Sequence, residues 1–298
     1  MRNKGVMFRS RGFTLVELLV VISIIALLMA ILLPGLSAAR RQAKNVKDMM
    51  NLRQWGVMLT MFAQDNDGKL MVGWNGGQMW TAALMKYYKG SDNICLCPMA
   101  STVFRSSFPP SFHFKGTDTV DQTFMAWGKL NVNGYLMHSE YGEKDGMYGS
   151  YGINGWAYDP LDNGLWVNGV QTTYAIDSGN RPNYWRNINV KNADKIPLFG
   201  DCMYDGGEPD QGDKPSPFKG TELNVTTGSD MSIYCVDRHQ GGINMTFMDE
   251  SVRKVGLKEL WRLKWHRKFN TGINHPPTFW PDWMKGLQDY PPVSIPNQ

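Results

Sequence analysis

The first sixty-odd residues divide by polarity. Residues 13 to 33 are apolar except for Thr14, Glu17 and Ser23. A helix rises about 1.5 Å per residue, so about 20 such residues cross a bilayer core. From Gly35 to about Ala63 the pattern stays helical but turns amphipathic. Leu36, Ala39, Ala43, Val46, Met50, Val57 and Met61 recur at three- to four-residue steps, with one wider gap at Arg53. Arg40, Arg41, Lys44, Lys47 and Asp48 fill other faces. One helix from Phe13 to about Ala63 is predicted, roughly 75 Å long. Its first half is membrane-grade and its second half one-faced, as expected if a globular part packs only on the second half. Asp65-Asn66-Asp67-Gly68 ends it, with glycine as terminator.

Beyond the helix the periods shorten. Trp80 to Tyr88 reads as a second, short helix, and Ile94 to Pro98 alternates like a short strand stopped by proline. Residues 101 to 195, rich in Gly, Asn, Tyr and Trp, read as loops and hairpins on a small core, with short strands at Tyr148 to Asn154 and Leu165 to Val170. Ile196 to Asp201 reads as a buried strand, and Tyr204 to Gly220 as an acidic loop rich in Gly and Pro. The stretch from Asp237 to Val255 reads as a β-hairpin. Ile243, Met245 and Phe247 alternate to one face, Asp249-Glu250 makes the turn and Ser251 to Val255 returns. Trp261, Trp265, Trp280 and Trp283 lie among prolines in a tail expected to wrap the surface without a core of its own.

These elements predict an α+β fold, a long N-terminal helix packed on an antiparallel β-sheet head. The expected organisation is a leader (1–12), a membrane-spanning half-helix (13–34), an amphipathic half-helix (35–64), an exported α+β head (65–260) and a Trp/Pro-rich tail (261–298).

Charge fixes the orientation. Arg2, Lys4, Arg9 and Arg11 all precede the apolar run. The positive-inside bias then keeps the amino terminus cytoplasmic and exports the rest. Without those four bases, the 31 basic residues fall to 27 and match the 27 acids. The excess of base is topological, and no nucleic-acid partner is expected. Four cysteines, Cys95, Cys97, Cys202 and Cys235, would face an oxidising compartment. They allow three full connectivities. Cys202 with Cys235 is the favoured disulfide, because both lie in the expected C-terminal sheet. A zinc site among them stays open, although their spacing is not that of a standard finger.

Glu17 is the anomaly in the apolar run. A charge there costs roughly 2.5–3.5 kcal/mol at a bilayer centre and less near an end, and such residues are usually paired. Cleavage after Gly12 would leave a free amine on Phe13, one turn from the Glu17 carboxylate, for pairing in the same chain or a neighbouring one. The run from Gly12 through Phe13, Thr14 and Glu17 to Ile22 resembles the class III signal of type IV pilins and type II secretion pseudopilins. The resemblance implies cleavage after Gly12 by a prepilin peptidase, N-methylation of Phe13 and a role for Glu17 in assembly. It also implies a helix bend at Pro34 and, as partners, other pilin or pseudopilin subunits and an inner-membrane assembly platform. Ser37-Ala38-Ala39 offers the small residues of an ordinary signal-peptidase site, but the apolar run exceeds the usual core of about 7–15 residues and Arg40-Arg41 follows at once.

A second resemblance lies near the other end. A pseudopilin-like family carries a His followed after nine residues by Asp-Gly, and His239 and Asp249 match that spacing, with Glu250 in place of the glycine. Glutamate suits a turn with positive φ poorly. His239 and Asp249 are expected to brace the hairpin as a structural pair. The alternative is that His239, Asp249, Asp201 and Asp237 converge to hold a metal or move protons. No nucleophile motif or complete ligand set accompanies them, so an enzyme is not expected and neither is a metal. The acids Asp201, Asp205, Glu208, Asp210 and Asp213, and the Asp65-Asn66-Asp67-Gly68 turn, leave calcium as the cofactor to test. The rival functional reading is an adhesin that binds glycans through exposed tryptophans.

Overall fold

The computed structural model describes residues 14–73, 80–88, 94–100, 102–103, 123–130, 136–137, 147–160, 166–167, 170–171, 181–217, 219 and 229–297. Gly12 and Phe13 lie outside the described residues. The chain divides into two compact units, Met1–Ala43 and Lys44–Gln298.

Helix α1 runs from Leu15 to Gln64 through Pro34. Its first turn is closed by a capping box. Thr14 donates to Glu17 Oε2 from its backbone N and from Oγ1, each at 2.8 Å, and Glu17 N donates back to Thr14 Oγ1 at 3.2 Å. The lone acid therefore satisfies helix-end donors and sits at the positive end of the helix dipole. Within the first unit the described apolar residues are exposed. Among the described residues, this is the one helix long and apolar enough to cross a membrane.

The second unit begins on the same helix. Asp48, Asn51, Leu52, Trp55, Met58, Leu59 and Ala63 are buried, while Val46, Met50, Val57 and Met61 are exposed. The helix is one-faced as expected, but its buried face is not the predicted one. The predicted stripe counted apolar residues only. The buried stripe admits Asp48 and Asn51, because the sheet presents polar groups to them. Asp65 ends the helix on Lys86 and Tyr87, at 2.8 Å and 2.7 Å, which occupies the carboxylate offered for calcium. Trp80 to Tyr88 forms two single turns, α2 (Trp80–Ala83) and α3 (Met85–Tyr88).

A small sheet holds β1 (Thr102–Val103), β2 (Met125–Leu130), β3 (Leu136–Met137) and β4 (Met147–Gly149). The main sheet has β5 (Tyr151–Asn154), and a separate ribbon pairs β6 (Trp166–Val167) with β7 (Val170–Gln171). The main sheet is completed by β8 (Pro197–Asp201), β9 (Gly206–Gly207), β10 (Gly242–Phe247) and β11 (Val252–Gly256), in the order β11-β10-β8-β5-β9. All its pairings are antiparallel except β5 with β9. β5, β8 and β10 are buried on both faces. This explains why only part of the β10 pattern was visible as alternation: Asn244 and Thr246 are as buried as Ile243, Met245 and Phe247.

One face meets α1. A Cβ on Gly56 would lie 3.0 Å from Thr246 Oγ1, so glycine permits the close approach. Trp55, Trp80 and Phe199 interlock there with centroids 4.8–6.0 Å apart. The tail supplies core as well as cover. Trp265 is fully buried, its carbonyl accepts from Asn154 Nδ2 and Trp185 Nε1 at 2.8 Å each, and its ring lies 4.8 Å from that of Tyr234.

Two local expectations are corrected. Ile94 to Pro98 is a turn and not a strand, because side chains satisfy its backbone: Trp55 Nε1 donates to the Ile94 carbonyl and Ser150 Oγ accepts from Cys97 N. The hairpin turn runs through Met248-Asp249, one residue earlier than expected, and is closed by Glu250 N donating to Phe247 O at 2.9 Å. Glu250 then takes φ 64, the left-handed position where the resembling family has glycine.

Candidate functional site

The described side chains with most concentrated chemistry lie between α1 and the main sheet. Register places them. Asp201 ends β8 opposite Tyr151 of β5, beside Asn244 of β10, and α1 lays Asp48 across them. His239 enters from the turn before β10, and Cys97 from the turn after residue 94. His239 Nε2 lies 3.0 Å from Asp201 Oδ2, 3.2 Å from Asp48 Oδ2 and 3.6 Å from Cys97 Sγ. All four residues are buried, and their donor atoms lie within 4.8 Å of one another.

A second layer orients them. Tyr151 donates its hydroxyl to Asp48 Oδ1 at 2.6 Å, and Asn244 Nδ2 donates to Asp48 Oδ2 at 2.7 Å. Asn244 N donates to Asp201 Oδ2 at 3.1 Å. Met99 N donates to Cys97 Sγ at 3.4 Å. Arg238, fully buried, donates to Asp201 Oδ1 at 3.2 Å and to the carbonyls of Thr123, Ser150 and Cys202. Such fixed outer contacts hold ligating groups in one orientation.

The electrostatics follow from burial and neighbours. Burial raises Asp48, and the Asp201 charge adds to it. Burial also works against Asp201, but hydrogen bonds and charge from His239, with Arg238 behind, hold it below the usual carboxylate range. Burial alone would lower His239, yet the two carboxylates lift it to about 9. Burial and both carboxylates push the Cys97 thiol well up. Without a metal the group is an imidazolium, a thiol and two carboxyl groups.

Of the convergence raised from sequence, the structure joins His239 and Asp201 but not Asp237 or Asp249. The expected His239–Asp249 pair is not formed. Asp249 accepts from Ser251 N at 3.0 Å and Ser251 Oγ at 2.6 Å inside its own turn, while His239 turns to α1 and β8. Asp48, Cys97, Asp201 and His239 instead bring four groups of metal-ligating type to one point. Asp48 and Cys97 escaped the sequence reading. The one available signal for Asp48 was its place in the stripe Asp48, Leu52, Trp55, Leu59.

The Cys202–Cys235 disulfide is absent, and all four cysteines are buried thiols outside any disulfide. Cys202 Sγ accepts from Tyr204 N at 3.4 Å, and Cys235 Sγ points to Met284 Sδ at 3.8 Å. The acids of the 204–220 loop do not converge either: Asp213 accepts from Asp210 N and Met231 N, and Glu208 accepts from the Tyr184 hydroxyl. The tryptophans offered for glycan stacking are withdrawn. Among those with described side chains, Trp55, Trp80, Trp156, Trp185, Trp261, Trp265 and Trp280 are buried and Trp283 is half-buried.

Residues 7–33 match the family described as the prokaryotic N-terminal methylation motif. The chain is 43% identical over 61 residues to the type IV wide pilus major component PilA4 of Thermus thermophilus. That stretch is 20% of this chain and 47% of that protein, so the chain spans about half the length of the curated relative it matches. No solved structure matches the chain. A methylation motif on an exposed apolar half-helix, running on into a helix packed against a mostly antiparallel sheet, makes this a type IV pilin-like chain that carries the N-terminal methylation motif of the type IV pilin and pseudopilin family.

Proposed function

We propose that the protein is a structural subunit of a type IV pilus-like or type II secretion pseudopilus filament. A prepilin peptidase cleaves it after Gly12, Phe13 is N-methylated, and the subunit waits in the inner membrane before an assembly platform extracts it. The supporting observation is the single helix α1. Its first part carries the motif on exposed apolar residues, and its second part holds a packed head.

The mechanism is mechanical. Apolar burial at about 25 cal/mol per Å² cannot drive extraction, because lipid is already apolar. Packing and charge must set register, and an external motor supplies work. In the uncleaved chain Glu17 closes the helix end with Thr14. Cleavage adds the Phe13 amine beside this carboxylate, in the same chain or in a neighbour. Val46, Met50, Val57 and Met61 form an exposed stripe suited to packing against copies of the subunit.

The mass of the mature amino-terminal peptide tests the reading. A peptide beginning at methylated Phe13 is expected, and a native protein that keeps residues 1–12 would sink it. Negative-stain microscopy then distinguishes a long pilus from a short piston.

A further inference from the structure

We propose that Asp48, Cys97, Asp201 and His239 form a closed, four-coordinate site for one divalent transition-metal ion of zinc's class, which staples α1 to the sheet of the head. Nothing in the motif match reaches these residues, since it ends at residue 33.

The first argument is crowding at one atom. Two carboxylate oxygens and a sulfur all approach His239 Nε2, at 3.0, 3.2 and 3.6 Å. That nitrogen carries at most one proton, which cannot point at both carboxylate oxygens and the sulfur together. A cation among them satisfies all at once.

The second argument is size. In a tetrahedron the ligand-to-ligand edge is about 1.6 times the bond, so bonds of about 2.0–2.3 Å give edges of about 3.3–3.7 Å. The three edges at Nε2 run from 3.0 to 3.6 Å, and the remaining ones stay within 4.8 Å. Seating the ion needs side-chain movement of only about 1 Å on this geometry.

The third argument is charge. With the thiol and imidazole deprotonated, three anionic ligands balance a dication plus Arg238. A mixed sulfur, nitrogen and oxygen set suits zinc over calcium or magnesium. Four protein ligands and full burial leave no open position, so the site is structural and not hydrolytic. The ligands come from four separated segments and meet only in the folded head. The ion therefore adds stability by binding the native state alone.

The test uses full-length protein in detergent, purified without chelator or a histidine tag. About one zinc per chain is expected by elemental mass spectrometry. Stripping it should lower the melting temperature of the head, and added zinc should restore it. Cobalt exchanged into the site should show a thiolate charge-transfer band, kept in Cys235→Ser and lost in Cys97→Ser. Should Cys97→Ser fail to fold, Tyr151→Phe decides: it keeps every ligand but frees Asp48 Oδ1, and should weaken zinc binding about 10–100-fold. The proposal is overturned if the protein carries no metal and zinc leaves the melting temperature unmoved, if Cys235→Ser loses metal as Cys97→Ser does, or if Tyr151→Phe binds zinc as tightly as the native chain.

Discussion

Leu27 and Leu59 lie on the same helix, yet Leu27 is 63% exposed and Leu59 fully buried. Helix propensity does not separate them. Partners do. Leu59 belongs to a core with Trp55 and Phe199, where burying a leucine contributes about 1.5–3 kcal/mol. Leu27 belongs to a run whose described apolar side chains are exposed. The two parts of α1 thus differ in what covers them: the first leaves its apolar side chains exposed, and the second carries its own core.

The largest test of that contrast is functional. Glu17→Val should leave membrane insertion, cleavage and head melting intact and abolish most filament formation, read by microscopy of sheared cells. Native filament yield would remove Glu17 from assembly. Next, Trp55→Ala should destabilise the head by about 3–5 kcal/mol in denaturant titration, because it empties a large site and frees the Ile94 carbonyl. Leu27→Ala should change the same measurement by no more than about 0.5 kcal/mol.

The third test concerns a charge inside the head. Burial holds the Asp205 carboxyl up at about 7. The folded chain keeps a proton that the unfolded chain releases near pH 4. Stability should therefore fall as pH rises from about 4 to about 7, then level off. Asp205→Asn should flatten that slope and leave the variant more stable by a few kcal/mol at pH 8. A variant with the native pH slope would show that Asp205 is not its source. A smaller gain in stability should come from Glu250→Gly. Relieving φ 64 should stabilise the head by about 1 kcal/mol, with no effect on cleavage.

How much of this was legible varies along the chain. The 15–64 helix, the β8 strand and the β10–β11 hairpin were readable because their periods are local. The Thr14–Glu17 box has a local spacing too, although the acid was read first as a partner for an amine. The buried face of α1 was misassigned, since Val46, Met50, Val57 and Met61 make the more apolar stripe. The sheet and the turn at residues 94–98 instead bury the stripe of Asp48 and Asn51, the sheet offering Asn244 and Tyr151 and the turn the Leu96 carbonyl. The disulfide expectation failed for a related reason. Two cysteines in neighbouring elements say nothing about where their sulfurs point.

By itself the sequence determined the apolar run, its basic flank, the motif around Gly12, Phe13 and Glu17, and so the chain's type; these depend on residues a few positions apart. Only the tertiary structure decided the cluster of Asp48, Cys97, Asp201 and His239. Its members are tens of residues apart in sequence and meet because strand register and helix packing place them within hydrogen-bonding range. A contact of that kind leaves no period to read, and its chemistry exists only once the chain has folded.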